Sequence, residues 1–111
     1  MGLGKMELKA IHVVYANWCP HCMPTTVEAM KKASQALGVP IKLYDIDTEA
    51  VKEADRLVAE HGDWAEDYLI PQVFFEYPDG KIEHVLTGYS EDVKLTARGV
   101  ANLLSRLGVQ P

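Results

Sequence analysis

The chain has 111 residues, enough for one domain around a single core and too few for two. Apolar residues make up 48% of it and charged residues 24%, a globular composition that excludes low-complexity disorder. Its formal net charge of −5 argues against nucleic-acid binding, which needs clustered Lys and Arg.

In chain order, Leu8 to Tyr15 carries the short β-branched run Ile11, Val13, Val14, Tyr15 and reads as a buried central strand. His12 lies within it, where a packed, hydrogen-bonded histidine is expected rather than a ligand. Trp18-Cys19-Pro20-His21-Cys22 follows directly. Pro20 suits the first position of a helix, because its missing N–H would have no partner there. Val27, Met30, Ala33, Ala36 and Leu37 then recur at helical spacing, with Gly38 as a C-terminal cap and Pro40 preventing continuation. Both cysteines are therefore expected at the N-terminus of the first helix, with Pro24 removing one hydrogen bond and kinking it near the pair.

Ile41 to Ile46 alternates apolar and polar residues and predicts a strand. Thr48 or Asp47 is placed as the cap of a second helix with Val51, Ala54, Leu57 and Val58 inward, ending near His61-Gly62. Asp63 to Ile70 is less regular and predicts a loop with one helical turn. Pro71 precedes Val73, Phe74, Phe75 and Tyr77, a strong strand signal. Pro78-Asp79-Gly80 is turn chemistry leading to a strand over Lys81 to Thr87. A last helix, capped by Ser90, carries the stripe Val93, Ala97, Val100, Leu104 and Leu107 and ends at Gly108. The order is β-α-β-α-β-β-α: an α/β domain with a mixed four-stranded sheet, its first β-α-β unit parallel and its last two strands an antiparallel hairpin. Helices must cover both faces, because the strands are apolar on both sides. One domain is expected over residues 1–111, with its core over about 8–107.

There are two cysteines, and a secreted disulfide framework normally uses more at wider spacing. Met1 to Ala10 has no apolar stretch like a signal-peptide core, Met6 breaks a myristoylation motif at Gly2, and no segment approaches the ~20 apolar residues of a membrane helix. A cytoplasmic address without membrane contact is the expectation, and there a CxxC pair is catalytic or metal-binding rather than structural.

The thiolate is the nucleophile in disulfide exchange. A helix N-terminus favours that anion through its unpaired N–H groups and positive dipole end, and His21 adds a cation or a hydrogen-bond donor beside it. Cys19 is thus expected to attack a substrate disulfide, and Cys22, three residues on along the same helix face, to resolve the mixed disulfide. The competing reading is half of a zinc site. Zinc wants four ligands, whereas there is no second cysteine pair and His12, His61 and His84 stand singly, so no metal and no other cofactor is expected in a monomer. A dimer could supply the missing ligands, which keeps open a binding module holding a metal or iron–sulfur cluster through Cys19 at a subunit interface. A redox-inert interaction domain is a third reading, opposed by the CxxC pair itself.

The sequence resembles the thioredoxin superfamily in its compact glutaredoxin-like form, over nearly the whole chain. Three placed features carry the resemblance: the strand followed by Trp18-Cys19-Pro20-His21-Cys22 opening a helix, Ile70-Pro71 before a strand, and Gly88 just before the final helix. It implies a thioredoxin fold and a cis Ile70–Pro71 bond beside the cysteines, with the Ile70 backbone free to pair with a substrate strand. Gly88 is expected at the substrate site as well, and Trp18 and Tyr89 are candidates for an apolar rim that binds substrate protein; each reads equally as ordinary packing, which is the favoured reading for Tyr89. Pro20-His21 matches the periplasmic oxidases of the superfamily, which carry an inserted helical domain that this chain lacks. Thr87 to Asp92 matches the glutathione-holding segment only in part, lacking its paired glycine. The buried acid that thioredoxins place on the central strand falls here at Val13. The implied activity is thiol–disulfide oxidoreduction as a monomer, in the reducing direction. The partners would be protein disulfides and an electron donor that is either a thiol or a flavin reductase.

Overall fold

The computed structural model describes residues 7–88 and 92–109. Its elements follow the expected order: β1 (Ala10–Tyr15), α1 (Val27–Leu37), β2 (Ile41–Asp45), α2 (Val51–His61), β3 (Gln72–Glu76), β4 (Ile82–Thr87) and α3 (Val93–Arg106). The sheet order is β2-β1-β3-β4, parallel between β1 and β2 and antiparallel elsewhere. β1 is central because its alternation is apolar on both faces. Ile11 and Val13 join Val73, Phe75 and Leu86 under α1 and α3, where Val27, Met30, Ala33, Val100, Leu103 and Leu104 complete the larger core. Val14 and Phe74 point the other way and pack with Ala54 and Val58 of α2. Burying each large apolar side chain of this kind stabilises the fold by roughly 1.5–3 kcal/mol.

His12 is packed and bonded, as its setting in an apolar strand predicts. Its Nε2–H donates to Glu76 Oε1 at 2.7 Å and its Nδ1 lies 2.8 Å from Tyr44 Oη.

Local corrections fall at the helix starts. The first helix does not open at Pro20: residues Cys22–Thr26 form one π-type turn broken by extended backbone at Met23 (φ −118°, ψ 137°), and regular α1 begins at Val27. Two prolines within five residues, each without an N–H, leave too few donors for a continuous ladder. The Met23–Pro24 bond is cis, as is Ile70–Pro71. Neither Thr48 nor Asp47 caps α2, whose N-cap is Ala50. Thr48 closes the preceding turn instead, its Oγ1 donating to Asp45 O and accepting from Ala50 N–H. Ser90, like Tyr89, lies outside the described residues; α3 is capped by Asp92, whose carboxylate accepts from Lys94 N–H at 2.8 Å. The inward stripe of α3 is Thr96, Val100, Leu103 and Leu104, while Val93 is exposed. Residues 63–70 form a loop with a single turn at Glu66 and Asp67 and no helix. Among the described residues, no helix is long and apolar enough to cross a membrane.

Candidate active site

β1 stops at Tyr15, and a short turn carries the chain past its carboxyl end to the cysteines. Cys19 N–H donates to Ala16 O at 3.2 Å, and Cys19 O accepts from both Cys22 N–H and Met23 N–H at 3.0 Å. That double acceptance closes residues 19–22 into one tight turn, so the pairing of the sulfurs does not depend on a regular helix. The two thiols are free and pack in one cluster with Ala16. Cys19 is 4% exposed and Cys22 is fully buried.

The two sulfurs are not equivalent. Cys22 sits among Ala16, Tyr15, Met23, Ile46 and Ile70. Burial pushes its thiol far above the ordinary range, and the neighbouring Cys19 adds to this, against a smaller opposing effect from the Ala16 backbone. Cys22 therefore stays protonated at neutral pH. Tyr15 is raised as well, first by burial and then by Asp45 and Cys22. Val13 is fully buried in the core under α1 and α3.

The Ile70–Pro71 peptide covers the pair. The Cys19 thiol donates to Ile70 O at 3.8 Å, within the longer reach of sulfur. Gly88 closes the far side of the same peptide, its N–H donating to Pro71 O at 2.7 Å. A Cβ at Gly88 would lie 2.5 Å from Ile70 O and 2.6 Å from Pro71 Cδ, so the position admits no side chain without displacing the backbone over Cys19. Three residues distant in sequence, Cys19, Pro71 and Gly88, thus meet at one point.

The remaining candidates lie around that point. Trp18 is 66% exposed, and its indole N–H donates to Asp47 Oδ2 at 2.8 Å. Asn17 Nδ2 donates to Asp45 Oδ2 at 3.2 Å, so the β2–α2 connection steadies the turn before the cysteines. Pro20 is exposed. His21 is half-buried; its Nδ1 lies 2.7 Å from Thr96 Oγ1 on α3, and its carbonyl accepts from Thr26 Oγ1 at 2.7 Å. The expected histidine beside the sulfurs is therefore anchored to the last helix. Tyr89 lies outside the described residues.

Sequence reasoning missed Asp47, Thr96 and Gln72. For the first two no local signal exists, because each partner is at least 29 residues away. Gln72 had a signal: a carboxamide in a strand otherwise reading Val73-Phe74-Phe75 must be buried with its partners. It is fully buried, and it bonds the backbone of the loop before Pro71. Among the described residues, no group of three or more His, Cys, Asp or Glu is placed to hold a metal ion.

No protein-family model and no curated protein matches the chain. Among solved structures, it is similar to oxidised thioredoxin O1 from Arabidopsis thaliana, with a TM-score of 0.56 and 19% identity, over 91% of this chain and 78% of that one. At that identity the likeness establishes architecture, and with the sheet order and the helices on both faces it gives this chain a thioredoxin fold.

Proposed function

We propose that the chain is a thiol–disulfide oxidoreductase that reduces protein disulfides in the cytoplasm. One observation carries this reading: two unbridged thiols pack together against Ile70, the first donating to the Ile70 carbonyl and the second buried. Cys19, as its thiolate, attacks one sulfur of a substrate disulfide. The substrate S–S bond breaks, a Cys19–substrate disulfide forms, and the released substrate sulfur takes up a proton. Cys22 then gives up its proton and attacks Cys19 Sγ. The Cys19–Cys22 disulfide forms and the second substrate thiol leaves. The substrate gains two electrons and two protons; a thiol or flavin-reductase donor must return two electrons to the chain.

Trp18 and the Ile70 backbone are the surfaces a substrate strand would meet first, supported by the exposure of the one and the position of the other. Extended backbone pairing at Ile70 would fix the register of the substrate disulfide over Cys19.

The test is covalent trapping. Cys22→Ser should accumulate a mixed disulfide with an insulin-like protein, whereas Cys19→Ser should form none, and the parent chain should turn the disulfide over when a dithiol is supplied. Equal trapping by both variants, or no turnover by the parent chain, would overturn the reading. Anaerobic purification yielding a stoichiometric metal or cluster would replace it with the binding module.

A further inference from the structure

We propose that Gln72 is a positioning residue that sets the Ile70 carbonyl over Cys19 by closing the loop of residues 63–70 at both ends. The inference rests on the oxidoreductase reading and adds to it the device that holds its substrate-facing wall.

The carboxamide of Gln72 is fully buried, and each of its polar atoms is used. Oε1 accepts from Asp63 N–H at 3.1 Å. Nε2 donates to Asp63 O at 3.1 Å and to Leu69 O at 3.0 Å. Asp63 opens the loop and Leu69 immediately precedes Ile70, so one side chain fastens the first residue of the loop to its last turn. The base of this clamp is rigid: Gln72 pairs with Val14 on one side and Thr87 on the other, inside the sheet. Gly62 makes room for it, since a Cβ there would lie 2.5 Å from Gln72 Oε1. A second tie runs from β4, where Thr87 Oγ1 donates to Asp63 Oδ2 at 2.7 Å.

Elsewhere the loop is held through two side chains. Trp64 and Leu69 are exposed, while Tyr68 and Ile70 pack against Val14, Ala54, Val58 and Phe74, and Tyr68 Oη donates to Asp55 Oδ1 at 2.7 Å. Those contacts anchor the side chains; the backbone at Asp63 and Leu69 is tied by the Gln72 hydrogen bonds. Removing the carboxamide leaves one backbone donor and two acceptors, at Asp63 and Leu69, without their partner, and the loop shifts to pair them with water. The Ile70 peptide moves with it. The sulfurs stay where they are, because the turn at residues 19–22 is closed by its own backbone bonds. Gln72 therefore governs chiefly how a peptide strand docks; the sulfur itself is tied to the moved peptide only by the long 3.8 Å bond to Ile70 O and by apolar contact with Ile70, so its own reactivity changes less.

The experiment compares the parent chain with Gln72→Leu and Gln72→Glu, each in a Cys22→Ser background for trapping. The two reactants are a disulfide-linked peptide and a small alkylating reagent. Expected is about tenfold slower mixed-disulfide formation with the peptide in Gln72→Leu, with alkylation of Cys19 changed less than twofold. In the dithiol chain the Cys19–Cys22 equilibrium with a reference dithiol should change less than twofold. Amide hydrogen exchange at Asp63 should accelerate in parallel. Gln72→Glu keeps the acceptor for Asp63 N–H but turns an oxygen toward two carbonyls. Burial favours its protonated form, which donates to one of the two carbonyls and so keeps two of the three bonds that leucine loses, with the same selective loss. Unchanged peptide kinetics in a folded variant, or equal slowing of both reactants, overturns the proposal while leaving the oxidoreductase reading in place. A parent chain inert toward the peptide removes both.

Discussion

At the scale of single residues, the site is defined by space as much as by reactive groups. Gly88 is required because two backbones approach each other there, and not because its own torsions are unusual: the glycines at positive φ are 38, 80 and 108. Gly88→Ala should cost about 1–3 kcal/mol of stability through overpacking, read as a lower urea midpoint. Because the clash is with Ile70 O and Pro71 Cδ, mixed-disulfide formation should slow further than the stability loss alone implies. A variant with parent-like stability would show that the peptide over Cys19 yields freely. The asymmetry between the sulfurs is also a matter of single contacts. Burial holds Cys22 protonated, so alkylation of the reduced parent chain near neutral pH should mark Cys19 alone, as peptide mass mapping would show. Modification of Cys22 first would reverse the assigned roles.

At the scale of elements, hydrophobic period and turn residues were enough to predict all four strands and three helices, because the strands are β-branched runs and the helices are closed by Gly38, Gly62 and Gly108. The cis Ile70–Pro71 bond was legible too, though only through resemblance; nothing in the sequence says that Gly88 packs against it. What failed was the chemistry of helix starts. Pro20 looked like a first helical residue, yet the second proline at 24 and extended Met23 delay α1 to Val27. The cysteines consequently depend on a backbone turn for their approach, not on an unbroken helix. Thr48 and Ser90 looked like caps because their types favour that position, but several such residues stood side by side and only geometry chooses among them. In α3 the choice is Asp92. Asp92→Ala should lower stability by about 1 kcal/mol in urea denaturation, since Lys94 N–H loses its acceptor. A neutral result would mean that water or another acceptor serves that donor equally well.

At the scale of the whole molecule, the thiol site lies beyond the carboxyl end of β1, and the sheet is fastened farther back by a polar strut across three strands. His12 of β1 bridges Tyr44 of β2 and Glu76 of β3, with Lys9 3.7 Å from the other Glu76 oxygen. The hydrogen bond from His12 is the largest of the effects holding the Glu76 carboxyl below its ordinary range; Lys9 and Lys42 add to it and partial burial opposes it. A carboxylate with a depressed folded-state pKa contributes stability above its unfolded value, near 4.3, and loses it as pH falls through the folded value. Stability should therefore hold through neutral pH and fall below about pH 4–5. Glu83 is depressed as well, chiefly by Arg106, but that pair is 43% and 39% exposed and solvent screens most of its effect. Glu76→Gln isolates the strut. Near pH 7 it should cost roughly 1.5–3 kcal/mol, the range for a hydrogen bond to a charged group, and near pH 3 the difference from the parent chain should shrink. Urea denaturation at both pH values measures it. A difference of constant size would mean that the strut works through its shape and not its charge. Because it lies away from the sulfurs, Glu76→Gln should leave mixed-disulfide formation unchanged at neutral pH, which separates what holds this sheet together from what makes Cys19 react.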